Sequence, residues 1–261
     1  MTDNTEHQDE YHDAMVTMLE VIWGKGYMAP GGEGNVDILT RDLNLRGKQV
    51  LDFGCGIGGP AFYMAGRLGA QVTGIDIAAP LIRLAQERAR EMDLDSRTSF
   101  LVVQAGPLEF SDESFDVVLS SGAFTQIADK SGTYKDCLRV LKPGGILTCY
   151  EWMRAGGEYS ADMRYWFKVE GLTYAMETLE KHAELLEQAG FTDVDIHDGS
   201  AWYRRRVREE YEQIRTSLYP TLVERIGQEN ADHFVEDWRA MVVVCEKGEM
   251  LQGYCRGQKP G

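Results

Sequence analysis

Val50-Leu-Asp52-Phe-Gly54-Cys-Gly56-Ile-Gly58-Gly59 is the stretch on which the fold turns. A short apolar run of strand type, Gln49 to Phe53, ends in glycines, and a helical pattern follows from Pro60 to Leu68. Glycine there lets the backbone turn tightly and come close to a ligand, which a residue with a Cβ could not do. Outward from this loop the pattern repeats. Gln71–Asp76 reads as a second strand and Pro80 to about Met92 as an amphipathic helix. Ser99–Val103 and Phe115–Ser120 follow as strands, then a helix across Tyr134–Leu141 and the strand Ile146–Glu151. Parallel strands must be joined by crossovers that cover the sheet faces, so the alternation predicts an α/β, Rossmann-like, doubly wound and mostly parallel sheet.

The rest of the chain decorates that sheet. Residues 8–23 read as an amphipathic helix ending near Gly24, and Gly31-Gly32 marks a loop. A core helix ends at Gly190, Phe191–Ile196 is a sixth strand and Glu249–Cys255 a seventh. One domain is expected over 1–261: an N-terminal helical lid over 1–44, a ligand-binding core over 45–157, and helical insertions over 158–182 and 200–247. Ligands of such sheets bind at the carboxyl ends of the strands, where the insertions form a roof. That suits a small, enclosed substrate.

Composition excludes several classes. The chain has 261 residues, 43% of them hydrophobic, enough for a sizeable core. Its 27 basic and 42 acidic side chains leave a formal charge of −15, which repels phosphate backbones, so nucleic acid is not an expected partner. No apolar run reaches the roughly 18 residues of a membrane span, and the acidic N-terminus is unlike a signal peptide. A cytoplasmic monomer or homodimer is expected. The five cysteines form no Cys-x-x-Cys pair and are expected as free thiols, and five scattered histidines predict no metal site.

Asp76 closes the second strand 22 residues after Gly54, the distance at which a carboxylate accepts both ribose hydroxyls of a nucleoside. Gly54-x-Gly56-x-x-Gly59 alone also fits a dinucleotide. Asp52, two residues before the glycines, suits a cationic ligand better than a pyrophosphate. Leu141-Lys-Pro-Gly-Gly145 then makes a turn into the fifth strand. Val50-Leu-Asp-Phe-Gly-Cys-Gly56, Gly74-Ile-Asp76, Phe115-Asp-Val-Val118 and Leu141-Lys-Pro-Gly-Gly145 together resemble, in order and spacing, the class I S-adenosylmethionine-dependent methyltransferases. The resemblance covers roughly residues 45–200 and implies S-adenosylmethionine as cofactor. It implies that Gly54, Cys55, Gly56 and Gly58 pack against the methionine part, with Asp52 nearby. Asp76 would hold the ribose, Ile77 the adenine face, and Gln104 and Ala105 the adenine edge, where Gln104 replaces the usual Asp. Ser120 and Tyr27 complete the expected contacts, Tyr27 as a lid.

The chain ends resemble the phosphoethanolamine and the sarcosine/dimethylglycine N-methyltransferases, through Tyr11, Gly26-Tyr-Met-Ala-Pro-Gly-Gly32, Ala189-Gly-Phe191 and Trp238 to Tyr254. Two departures follow from that comparison. Gly122-Ala-Phe-Thr-Gln126 stands where phosphobase enzymes carry Asp-Ala-x-x-His, and Trp152, Glu170 and Met241 stand where they grip phosphate with a Tyr, an Arg and a Lys. Losing cations and gaining a carboxylate disfavours a phosphorylated substrate. Glu151, Trp152, Trp166, Glu170 and Gln126 are instead expected around an amine, with Glu151 and Tyr11 as the candidate catalytic groups. Tyr150-Glu-Trp152 also resembles the sterol C-methyltransferases, which keeps an isoprenoid or sterol-like alkene as the alternative acceptor. A catalytically idle cofactor-binding protein is the third reading. The basic run Tyr203-Arg-Arg-Arg-Val-Arg208 reads mainly as a solvated helix face paired with nearby glutamates.

Overall fold

The apolar run Val50-Leu51 becomes β1 (Gln49–Phe53), with both residues fully buried, as expected of a strand covered on both faces. The structure is a computed structural model that describes residues 12–172 and 174–261. On one side of β1 lie β2 (Gln71–Asp76) and then β3 (Thr98–Val102); on the other lie β4 (Phe115–Ser121) and β5 (Leu141–Arg154). These five run parallel. The sheet is completed by β6 (Thr192–Asp198) and β7 (Met250–Gln258), where β7 inserts antiparallel between β5 and β6. The order is β3-β2-β1-β4-β5-β7-β6, so the seven-stranded, mostly parallel sheet read from the sequence is the one observed.

The helices divide between the faces. Leu51, Val118 and Leu147 pack under α5 (Lys130–Val140) and α7 (Leu179–Ala189). Val50, Val72 and Leu119 belong to the larger core, with α3 (Gly59–Gly66), α4 (Ala79–Glu91) and the added helices. Among the latter, α1 (Asp13–Trp23) and α6 (Ala161–Glu170) meet α8 (Ser200–Arg215), α9 (Tyr219–Ile226) and α10 (Gln228–Glu246) over the carboxyl ends of the strands. Gly24, Gly171 and Gly190 follow the last residues of α1, α6 and α7 with positive φ.

Several boundaries differ from expectation for identifiable reasons. The segment after Gly31 forms α2 (Gly32–Leu39), where the two glycines alone had signalled a loop. Its Val36 and Leu39 are each 1% exposed, so burial drives a helix that a short, glycine-bearing sequence does not advertise. α5 starts at Lys130 because Asp129 accepts a hydrogen bond from Gly132 N at 2.9 Å. β5 runs from Leu141 because Leu141 pairs with Phe115 before the Pro-Gly-Gly irregularity, and extends to Arg154 along its ladder with β7. All five cysteines are free and buried. Among the described residues no helix is long and apolar enough to cross a membrane.

Candidate active site

The glycine loop is tied to the tip of the neighbouring strand. Gly54 N and Cys55 N both donate to Ile75 O, at 2.9 and 3.0 Å. Gly54 has φ 70°, and a Cβ there would overlap the Ala123 methyl. Gly56 has φ 51°, and a Cβ would lie 2.9 Å from Met28 Sδ. Both positions therefore require glycine, for conformation and for space. Gly56 N then donates to Asp76 Oδ2 at 3.0 Å, while Asp76 Oδ1 accepts from Ala78 N at 2.9 Å. The carboxylate at the tip of β2 is thus held rigidly beside the loop.

A cavity of about 980 Å³ opens above these strand tips, at the upper end of the range for small-molecule sites. Its floor includes Gly54, Gly56, Asp76, Ile77, Gln104 and Ala105 at the ends of β1, β2 and β3. Beyond β4 its wall is the turn from Gly122 to Gln126, and its roof carries Trp23, Trp152, Glu170, Tyr174, Asp237 and Trp238. Its polar groups converge from opposite sides, Asp76, Gln104, Thr125 and Gln126 from the strand tips and wall, Glu170 and Asp237 from the roof. Gln126, Trp152 and Glu170 line the same cavity as the glycine loop.

Other candidates stand behind the wall. Glu151 is fully buried and outside the lining: its Oε2 accepts from Thr125 N and Thr125 Oγ1, both at 2.8 Å, and its Oε1 from Ser120 Oγ at 3.2 Å. Burial pushes its carboxyl up to about 7 despite those donors and Lys130. Its geometry is that of a brace for the Phe124–Gln126 turn, and Ser120 faces that brace while Ser121 takes the lining position. Trp166 is also fully buried, behind Trp152 at 5.6 Å between ring centroids, with its Nε1 donating to Asp237 Oδ1 at 3.1 Å. Tyr27 packs beside Gly59 and lies outside the lining, which from that segment takes Met28, Ala29 and Pro30. Cys55 and Gly58 shape the loop from beneath, against Gly74 and Phe100. Tyr11 lies outside the described residues.

Asp52, expected among the cofactor contacts, is 1% exposed and lies behind the cavity lining, and its Oδ2 has no hydrogen-bond partner among the described residues. Burial first, and then Asp76, push its carboxyl up to about 7, against a hydrogen bond from the Ala61 backbone. Burial likewise raises Asp76, offset by the Ala78 and Gly56 N–H groups. Two acidic groups beside one glycine loop make this end of the site receptive to positive charge.

The segment that leads from α1 across the loop is anchored. Gly26 O accepts from Gly59 N at 3.0 Å, and Gly26 N donates to Glu20 Oε1 at 2.6 Å. The Glu20 carboxylate is in turn held by both terminal nitrogens of Arg88 on α4, at 2.6 and 3.0 Å. Above it Glu210, fully buried, accepts from the indole N–H of Trp23 at 2.9 Å and of Trp238 at 3.2 Å, and from Arg206 at 3.0 Å. Glu210 therefore fixes two cavity tryptophans, and Arg206 of the basic run is occupied with it. Arg208 pairs with Glu246, so both arginines are engaged with glutamates, Arg206 with a buried one rather than across a solvated face.

Asp237 and Glu210 were not among the residues singled out for the site. A signal existed: Phe234, Asp237, Trp238, Met241 and Val244 form the buried stripe of α10, and a carboxylate inside an apolar stripe requires a partner.

Comparison with known proteins agrees with this architecture. Residues 51–149 match the family described as a methyltransferase domain. Phosphoethanolamine N-methyltransferase 1 of Arabidopsis thaliana is 29% identical over 245 residues, 94% of this chain and 49% of that protein. The chain thus spans about half the length of the first curated relatives it matches. Phosphoethanolamine N-methyltransferase 2 of Haemonchus contortus, solved with phosphomonomethylethanolamine and S-adenosylhomocysteine, superposes with a TM-score of 0.92 at 26% identity, covering 100% of this chain and 61% of that one. A sarcosine dimethylglycine methyltransferase assignment from Galdieria sulphuraria shares the fold, with a TM-score of 0.80 at 17% identity over 95% and 97% of the two chains. Residues 51–149 thus match a methyltransferase domain, and the chain has the class I methyltransferase fold.

Proposed function

We propose that the protein is an S-adenosylmethionine-dependent methyltransferase acting on the nitrogen of a small molecule. The observation that carries the reading is the glycine loop and Asp76 carboxylate fixed together on the floor of a roofed cavity of about 980 Å³. The residues fit that cofactor. Gly54 and Gly56 leave room for close backbone approach, Asp76 offers a carboxylate to a ribose, and the unpartnered Asp52 oxygen suits a nearby cation. When bound, the cofactor supplies an electrophilic methyl carbon on a positively charged sulfur.

The chain's own residues then do what a displacement needs: they align the acceptor, exclude water and receive a proton. Trp23, Trp152 and Trp238 close the roof against solvent. Thr125 and Gln126 line the wall next to the glycine loop, and Glu151 holds that wall in place from behind. No Asp/His pair stands on the Gly122–Gln126 turn, so the acceptor proton leaves through Tyr11, water or a roof carboxyl, or the acceptor needs no base. The phosphoethanolamine N-methyltransferase relatives and the Gly26–Gly32 motif support nitrogen as the acceptor.

The acidic and aromatic roof also suits a carbocation, so an alkene acceptor is the second reading. Incubation with S-adenosylmethionine and a panel of sarcosine, dimethylglycine, ethanolamine, phosphoethanolamine and isoprenoid alkenes, with product mass as readout, tests both. Turnover of amines supports the proposal, turnover confined to alkenes replaces it, and cofactor binding with no turnover favours the idle protein.

A further inference from the structure

Two carboxyl groups meet in the roof. Glu170, the last residue of α6, and Asp237, in the middle of α10, both line the cavity, and Asp237 is 2% exposed and hydrogen-bonded to Glu170. Each has one further donor: Trp166 Nε1 to Asp237 Oδ1 at 3.1 Å, and the Tyr174 hydroxyl to Glu170 Oε1 at 2.8 Å. The basic residues of the lining, Lys135 and Arg139, belong to α5 on the other side of the cavity. Arg139 is already engaged with Asp112 and Asp136 and with the carbonyls of Leu108 and Phe110. No lysine or arginine of α6 or α10 lines the cavity.

Asp237 is buried beside Glu170, and a carboxyl in that position does not ionise readily unless a positive charge joins it. Burial, followed by Glu170, holds the Asp237 carboxyl well above the usual range. The surroundings favour a cation as the group that joins it. Trp152 and Tyr174 stack with 27° between their planes at 5.9 Å, and Trp166 backs Tyr174 at 5.2 Å, so electron-rich aromatic surface borders the carboxyls. A phosphate at the same place would meet two acids and no cationic donor.

We propose that this roof subsite holds an organic ammonium group that carries no phosphate, gripped by Glu170 and Asp237 against Trp152 and Tyr174. The inference rests on the reading that this cavity holds the methyl acceptor, and it names the acceptor's class: an unphosphorylated amine or amino compound. It also makes Asp237 a specificity determinant. Arrival of the cation favours the ionised form of Asp237, whose proton passes to solvent.

The test is calorimetric titration of the full chain with choline and with phosphocholine, each with and without saturating S-adenosylhomocysteine. Choline is expected to bind at least about tenfold tighter than phosphocholine and to release up to one proton, read from two buffers of different ionisation enthalpy. The near-isosteric double substitution E170Q/D237N should weaken choline at least about tenfold. It should leave S-adenosylhomocysteine affinity within about twofold, which also verifies that the variant is folded. Phosphocholine binding as tightly as choline, choline failing to bind, or choline affinity unchanged in the double variant would each overturn the proposal. Failure of S-adenosylhomocysteine to bind the unmodified chain would instead tell against the cofactor reading, and the choline arms judge the roof independently.

Discussion

Asp52→Asn separates the electrostatic part of cofactor recognition from its shape. In the free protein Asp52 is buried, has an unpartnered oxygen, and titrates near 7 rather than at 3.8. A carboxyl whose folded pKa is raised binds more protons folded than unfolded, so its effect on stability is absent below the unfolded value. It becomes a penalty that grows as pH rises from the unfolded value and is complete above the folded one. Across that interval, from 3.8 to about 7, the penalty reaches on the order of 4 kcal/mol. A cationic cofactor reverses the situation by using the ionised form. With a pKa near 7, about one site in eleven is ionised at pH 6 and about three in four at pH 7.5. S-adenosylmethionine should therefore bind about eightfold tighter at pH 7.5 than at pH 6. In Asp52→Asn the affinity should fall about tenfold or more at pH 7.5, and most of that pH dependence should vanish. The unliganded variant should gain stability relative to the parent as pH rises from 5 to 8. Calorimetric titration and thermal melting at the two ends of each range provide the readouts. A variant that retains the eightfold dependence, or whose relative stability does not change with pH, would refute the placement of a titrating carboxylate beside the cofactor's charge.

Four further substitutions probe other parts of the site. Asp76→Ala removes the acceptor pinned by Gly56 N and Ala78 N and should weaken S-adenosylhomocysteine by about 2–3 kcal/mol in calorimetry; unchanged affinity would contradict the ribose assignment. Glu151→Gln puts an amide donor among the Ser120 and Thr125 donors and should cost about 1–3 kcal/mol in denaturant melts, with turnover of the folded fraction falling less than about tenfold; a large turnover loss at intact stability would make Glu151 catalytic. Glu210→Leu leaves the Trp23 and Trp238 indole N–H groups unpaired in the core and should cost about 3 kcal/mol in urea unfolding, an outcome that no change in midpoint would refute. Arg88→Ala releases Glu20 and through it Gly26, so stopped-flow dissociation of S-adenosylhomocysteine should accelerate about five- to tenfold; an unchanged rate would show that the segment over the glycine loop is held by packing alone.

The difference between what sequence made legible and what it did not follows from how far apart in the chain the cooperating groups lie. Asp52, the four glycines and Asp76 fall within 25 residues, on two adjacent parallel strands whose register follows from the apolar pattern, so their convergence can be read directly. Glu151 shows the limit of that approach. Period-two alternation puts it on the face opposite Tyr150 and Trp152, and only the fold of the next turn reveals that Thr125, not a substrate, meets its carboxylate. Trp166 is misjudged for a related reason: on a short helix the large aromatics all look alike, and which one faces the cavity depends on the helix packed behind it.

The roof is harder still, and the reason bears on how such a protein changes its substrate. Glu170 and Asp237 are separated by 67 residues, on two packed helices that are also joined by Trp166 to Asp237 and Tyr165 to Glu236. Neither helix contributes to the glycine loop or to the tips of β1 and β2 that hold Asp76. Substitutions on α6 and α10 can therefore exchange a phosphate grip for a carboxylate pair with little strain on the floor of the cavity. Changes at Gly54 or Gly56, by contrast, would collide with Ala123 or Met28 and disturb wall and lid together. The carboxylate at Glu170 is legible in the sequence as a charge reversal. That Asp237 joins it is visible only once those two helices are seen in contact.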